Sequence, residues 1–283
     1  MAPQALDRSV LLPYLPRLLV QWLAEDPSST RREMDGTVVF VDISGFTKLS
    51  EKLAKSGKVG AEELAEAIGS CFARLLSVAY GNGGGLLKFG GDALLLLFTG
   101  TDHALKGARA AVGMRRALRE IGRLETSGGR VQLKMSVGLH SGTFHLFLVG
   151  GSHREFMITG PAATQTATME GTAEAGEILV SPATAALLPA RVIGNAKGPG
   201  FLLRADPGGL TTEPTELELE VPGELIERCV SRATREGLLF GTGEPEHRRV
   251  VVAFIHFDGT DAMIEGDGSA AFADALDELV RDV

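Results

Sequence analysis

The most restrictive feature of the sequence is a pair of apolar runs, Leu86 to Phe89 and Ala93 to Phe98, separated only by Gly90-Gly91-Asp92. Runs this close must turn back on each other as an antiparallel pair, because parallel neighbours need a crossover of roughly a dozen residues or more. The glycines let the turn take positive φ, so a carboxylate, Asp92, sits at the tip of a tight hairpin. A further strand is signalled by Thr37 to Asp42, in which Thr, Val and Phe precede a second carboxylate, and Ser44-Gly45 and a helix-like run follow at once. Leu64, Ile68, Phe72, Leu75 and Ala79 recur at helical spacing within Ala61 to Tyr80, and His103 to Ile121 reads as a second amphipathic helix. Val131, Leu133, Met135, Val137 and Leu139 alternate as a strand should, and Ser141-Gly142 is expected to separate it from another strand at Thr143 to Val149. Beyond these lie a helix-compatible run at Ala163 to Ala173, a short strand at Ile178 to Val180, and a helix start at Ser181-Pro182. Hairpins mixed with strand–helix alternation predict an α+β fold, a mixed and mostly antiparallel sheet flanked by helices, rather than a doubly wound parallel one.

At 283 residues with 44% hydrophobic content, the chain can bury a substantial core without disulfides. Its two cysteines, Cys71 and Cys229, form neither a disulfide framework nor a thiolate metal site, which fits a reducing cytoplasm. A net charge of −8 has the wrong sign for neutralising a nucleic-acid backbone, although a small metal-chelated anion is compatible with it. The apolar stretch from Leu11 to Leu23 is interrupted by Pro13, Pro16 and Arg17 and is too short to span a bilayer, and an amphipathic helix is expected from about Leu15 to Ala24, presenting Leu15, Leu18, Leu19, Trp22 and Leu23 on one side. The expected organisation is a helical segment over 1–34, a main domain over 35–205, a linker over 206–246 rich in Gly, Pro, Thr and Glu, and the start of a second domain over 247–283. That last expectation rests on an internal repeat. Val252 to Gly259 can be laid on Val38 to Gly45 without a gap, which sets His256 on Asp42 at an offset of 214 residues.

Asp42, just past a strand, and Asp92, at a hairpin tip, can converge if their strands are neighbours. Two carboxylates and a backbone carbonyl suit a hard divalent cation such as Mg²⁺, which keeps waters or substrate phosphates in its other positions. Two such ions can serve both ends of a phosphoryl displacement. The amides from Ser44 to Thr47 would open a helix and face an anion bound beside the metals. The competing reading makes Asp42 a helix cap and Asp92 a turn residue.

The segments Val39-Phe40-Val41-Asp42-Ile43-Ser44-Gly45-Phe46-Thr47 and Leu87-Lys88-Phe89-Gly90-Gly91-Asp92-Ala93-Leu94 resemble the two metal motifs of class III nucleotidyl cyclases. Ser136 to Gly142 and Gly176 to Ser181 are similar to later landmarks of that family, and the resemblance extends over about residues 35 to 205. It is nearest to the first half of tandem proteins of the soluble adenylyl cyclase type. The resemblance implies a ferredoxin-like βαββαβ core acting in a head-to-tail pair of domains, as a homo- or heterodimer, with a nucleoside triphosphate as substrate. It implies two Mg²⁺ or Mn²⁺ ions on Asp42, Asp92 and the Ile43 carbonyl. Phosphates would lie on the amides of Ser44, Gly45, Phe46 and Thr47 and on Lys197, and Lys88 would serve base selection or a regulatory site. The product would be a 3′,5′-cyclic nucleotide, from ATP ahead of GTP, with release of pyrophosphate.

Departures from the pattern are equally informative. The family's transition-state Asn and Arg fall on Thr164 and Thr168, and 156–190 contains no Arg or Lys. Met157 stands where an acidic base-selecting residue is expected. Weak or absent turnover by this chain alone follows, with a complementing second half supplying the lost groups. The alternative is a degenerate cyclase homology domain that binds nucleotide or anion and regulates a partner. A diguanylate cyclase is disfavoured, since Ala93-Leu94 replaces the Glu-Phe expected after its hairpin carboxylate and Ser44 replaces a second Asp.

Overall fold

A computed structural model of the chain describes residues 8–127, 129–208, 220–240, 251 and 256–282. A 3-10 turn at Arg8–Tyr14 leads into α1 (Arg17–Glu25), the long strand β1 (Arg31–Ser44), and helices α2 (Phe46–Leu53) and α3 (Gly57–Gly81). The hairpin β2 (Gly84–Gly90) and β3 (Ala93–Thr99) precedes α4 (His103–Ile121), the short strands β4 (Arg123–Thr126) and β5 (Gly129–Gln132), and then β6 (Lys134–Val149) and β7 (Glu155–Thr159). There follow α5 (Pro161–Thr172), β8 (Ile178–Val180), α6 (Pro182–Ala186), β9 (Ile193–Lys197), β10 (Gly200–Leu203), α7 (Gly223–Arg228), α8 (Arg232–Phe240) and α9 (Thr260–Asp282). Among the described residues, no helix is long and apolar enough to cross a membrane. The chain forms two compact units, one of Met34–Phe144 with Pro161–Glu216, the other of Met1–Glu33, His145–Gly160 and Leu217–Val283.

In the first unit the strands lie in the order β2-β3-β1-β6-β8-β10-β9. β1 with β3, β2 with β3, β8 with β10 and β9 with β10 are antiparallel, and β6 with β8 is parallel. The order β2-β3-β1-β6, with α2 and α3 after β1 and α4 after β3, is that of a ferredoxin-like βαββαβ core. Helix α3 buries Cys71, Leu75 and Ala79, with Leu64, Ile68 and Phe72 packed on the same core. Helix α4 can lie close to the sheet because its inner face is mostly alanine, with Gly107 only 3.2 Å, by an added Cβ, from the methyls of Thr37 and Val39. The side chains of Val39, Val41, Ile43, Leu94, Leu96 and Phe98 complete that core from the strands.

Two expectations about strands need correction. The alternating run from Val131 is divided at Leu133, whose amide donates to the Gly122 carbonyl at 2.8 Å, so that β5 pairs with β4 in a separate ribbon. Conversely, Ser141-Gly142 does not break a strand. β6 runs through both, because the Ser141 hydroxyl finds partners inside the core and Gly142 stays out of the positive-φ region.

In the second unit, the end of β6 from His145 to Val149 pairs antiparallel with β7. Trp22 of α1 stands edge-on to Phe156 with ring centroids 6.4 Å apart, and Phe147 meets Phe272 of α9 at 5.0 Å. Of the face expected to be apolar, Leu15, Leu19, Trp22 and Leu23 are buried and Leu18 is half-buried, with Leu15 preceding the helix, which starts at Arg17. Arg154, 8% exposed, is satisfied by the carbonyls of Pro27, Ser29 and Leu148. Residues 252–255 of the internal repeat and 209–219 and 241–246 of the expected linker lie outside the described residues.

Close approach of α5 to β6 depends on Gly138, where an added Cβ would lie 2.2 Å from the Glu170 amide nitrogen and 2.7 Å from the Thr166 carbonyl oxygen. Backbone atoms cannot swing aside as a side chain can. Gly138→Ala is expected to cost about 2–4 kcal/mol or to prevent folding, whereas Gly69→Ala, in open space on α3, should gain about 0.5–1 kcal/mol. Urea unfolding midpoints of the two variants measure this contrast.

Candidate active site

Register brings the two predicted carboxylates together. Asp42 pairs with Ala93 at the end of the β1–β3 ladder, and the Ile43 amide donates to the Asp92 carbonyl at 3.2 Å. The hairpin closes with Gly90 opposite Ala93, leaving Gly91-Asp92 as its loop. Gly91 has φ 67° and Asp92 does not take positive φ, the sign pattern of a type II′ turn, which requires glycine first. Immediately past Asp42 the chain turns into α2 through Gly45, φ 113°, which serves as N-cap with no side-chain bond. Gly45 is also hemmed in, since an added Cβ would lie 3.1 Å from the Gln132 carbonyl oxygen.

Ile43 and Phe46 are buried, whereas Ser44 and Thr47 face solvent. The first turn of an α-helix leaves its amides without internal partners, so α2 presents such donors directly after the Asp42 turn. Burial pushes the Asp42 carboxyl above its ordinary value, and the charges of Asp92 and then Glu170 push it further in the same direction. Glu170 was not among the residues singled out by sequence reasoning. It is held by Ser136, whose hydroxyl donates to Oε1 at 2.8 Å, and by the close α5–β6 contact at Gly138. The only sequence cue to it was a glycine in the middle of an otherwise alternating strand.

Other predicted residues lie elsewhere. Lys88 is exposed on β2, opposite Leu95 just past a bulge. Lys197 is on β9, with β6, β8 and β10 between it and β1, about 19 Å away at the usual strand spacing. Its ammonium pairs with Glu177 at 2.5 Å and Glu174 at 3.1 Å, and these carboxylates raise its pKa. Three strands thus separate it from Asp42 of the same domain. Thr164 and Thr168 are exposed one turn apart on α5, where the Thr168 hydroxyl donates back to the Thr164 carbonyl at 2.8 Å. Met157, in the other unit, packs with Phe147, Val149, Ile264 and Phe272, so its apolar character serves packing there.

No cluster of three or more His, Cys, Asp or Glu side chains among the described residues is arranged to hold a metal by itself. Two carboxylates and a carbonyl still fit a hard cation that arrives with an anionic ligand and keeps most of its other positions for water and phosphate. Removing like charge around Asp42 should bring its pKa back down in the metal-free protein, by more for Asp92→Asn than for Glu170→Gln. Carboxyl carbon NMR titration of Asp42 in the two variants checks the order.

Residues 29–201 match the family model described as "Adenylate and Guanylate cyclase catalytic domain". Human adenylate cyclase type 10 is 29% identical over 174 residues, 60% of this chain and 11% of the relative, and the mouse protein is 28% identical over 183 residues, 62% of this chain and 11% of the relative. The chain thus spans about a tenth of the length of the curated relatives it matches. Among solved structures, the guanylyl cyclase Cya2 is similar with a TM-score of 0.50 and 26% identity, covering 61% of this chain and 91% of that one. A bacterial light-regulated adenylyl cyclase shares the fold with a TM-score of 0.55 and 17% identity, over 69% of this chain and 58% of that one. With more than half of its length matched by the family model, and with the carboxylates of both motifs side by side, the chain belongs to the adenylate and guanylate cyclase catalytic domain family.

Proposed function

We propose that this chain carries the first half of a tandem nucleotidyl cyclase, converting ATP in preference to GTP into the 3′,5′-cyclic nucleotide and pyrophosphate, in the cytoplasm. The observation that carries the reading is the register that sets Asp42 beside Asp92 at the mouth of α2. Asp42, Asp92 and the Ile43 carbonyl would hold two Mg²⁺ or Mn²⁺ ions, which when bound neutralise phosphate charge and activate the attacking 3′ oxygen. The amides at Ser44 to Thr47 bind the triphosphate oxygens and orient the chain of phosphates. The 3′ hydroxyl gives its proton to solvent water as its oxygen attacks the α-phosphorus, the bond to the bridging oxygen of the β-phosphate breaks, and pyrophosphate leaves carrying that electron pair.

Charge developing on the transferred phosphoryl group needs a cation from a second domain, since Thr164 and Thr168 offer only hydroxyls. The internal repeat supports a tandem arrangement. α9 is two helices merged across Gly268, φ 87°, and at the offset of 214 residues its first residue, Thr260, falls on Phe46, the first residue of α2, while Gly268 falls on Ala54, just after α2 ends. The same offset puts His256 at the position of Asp42, so the second half would lack one metal carboxylate and a tandem pair would have one metal-loaded site. Lys88 would then face the degenerate site. Lys197, far from Asp42 of its own domain, would contribute only to a site completed by the other half. Cys71 and Cys229 are free thiols, each pushed up to about 11 mainly by burial, in keeping with a reducing compartment.

Turnover of ATP by the purified chain in excess Mn²⁺ should be at or near the Asp42→Ala background. The double substitution Thr164→Asn with Thr168→Arg is expected to raise it by about a hundredfold or more, the scale of one transition-state donor. An inert double variant that is folded and still binds nucleotide in a metal-dependent way would show that the missing pair is not what limits the chain.

A further inference from the structure

Four of the six buried polar residues of the chain's described part, Thr37, Ser141, Ser181 and Thr184, form one connected chain beneath the helices of the first unit. Thr37 Oγ1 lies 2.7 Å from His103 Nδ1 and 2.7 Å from Ser141 Oγ. Ser141 Oγ lies 3.0 Å from Thr184 Oγ1, which is 3.2 Å from Ser181 Oγ, and Ser181 Oγ is 2.9 Å from His140 Nδ1. The cyclase chemistry uses none of these groups. They join β1, α4, β6 and the corner between β8 and α6.

Proton counting makes this chain directional. Five links connect the two imidazoles, and four hydroxyls supply four protons, so the fifth must come from one imidazole Nδ1. Two neutral arrangements satisfy every link. Either His103 donates from Nδ1 and every hydroxyl points toward His140, or His140 donates and every hydroxyl points toward His103. Ser181 also accepts from the Thr184 amide at 3.2 Å, and both arrangements leave it a lone pair for that bond.

We propose that His103 and His140 are the two ends of a proton-linked switch, in which the proton position on one ring sets that on the other through the four hydroxyls. Protonation of His140 fixes its Nδ1–H toward Ser181 and turns the whole chain toward His103, whose Nδ1 then accepts. Protonating His103 as well requires Thr184 to give its proton instead to the Leu139 carbonyl, 3.5 Å away and at the limit of a hydrogen bond. The two protonations therefore oppose each other across the domain. Burial disfavours the charged form of both rings. The charges around His103 are Asp35 of β1, Asp102 just before α4 and Lys106 on α4, whereas His140 is shifted by burial alone and stands T-shaped to Phe144.

Long-range nitrogen–proton NMR of the imidazoles tests this in the full chain. Above both titrations, the fractions of Nδ1–H on His103 and His140 should sum to one in the wild type. The sum should depart from one in Ser141→Ala and stay at one in Thr184→Ser, which keeps the hydroxyl. The protonation midpoint of His140 should rise in His103→Gln and rise no further when Ser141→Ala is added. Both rings as Nε2–H in the wild type would overturn the proposal, a result that does not depend on any variant folding. So would a folded Ser141→Ala in which neither tautomer fraction nor the His140 midpoint moves.

Discussion

Everything at the candidate site hangs on the pairing of β1 with β3. That ladder runs from Gly36 opposite Thr99 to Asp42 opposite Ala93, and its last step, the Ile43 amide on the Asp92 carbonyl, locks the hairpin tip against the end of β1. A slip of one residue would turn Val39, Val41 and Ile43 out of the core and carry Asp42 to the wrong face. The hydrophobic alternation that builds the sheet is thus the same constraint that sets two carboxylates side by side. Burial of Asp42 and the like charges held beside it both raise its carboxyl above the ordinary value, a cost that a bound cation would relieve.

The second constraint is close packing of helices onto this sheet. Gly107 lets α4 approach Thr37 and Val39, and Gly138 lets α5 approach β6 near Glu170. These contacts bring groups from distant parts of the chain into two polar assemblies. One is the carboxylate group at the end of β1. The other is the hydroxyl chain between His103 and His140, buried where unsatisfied polar atoms would be expensive and therefore fully linked.

Much of the first unit was legible in the sequence because its signals are local. The Gly-Gly-Asp turn between two apolar runs dictates a hairpin, the spacing of Leu64 to Ala79 dictates a helix, and Ser181-Pro182 announces a capped start, realised when Ser181 Oγ accepts from the Thr184 amide. Ser141-Gly142 misled because those residues usually mark turns, and only tertiary partners for the Ser141 hydroxyl keep β6 extended. Glu170 left only the cue of Gly138, because its role comes from a contact between α5 and β6, not from any motif. The distance of Lys197 from Asp42 follows from strand order, which residue spacing does not encode. The family resemblance supplied roles for residues that periodicity alone left as caps and turns.

The central claim is that Asp42 and Asp92 form a metal–triphosphate site at the mouth of α2. Equilibrium binding of ATP to the purified chain, with and without Mn²⁺, tests it without requiring turnover. The account predicts binding that depends on Mn²⁺ and weakens by about tenfold or more in a folded Asp42→Ala variant, as expected for loss of a charged ligand. Equal affinity in the variant and the wild type, or binding indifferent to the metal, would contradict it.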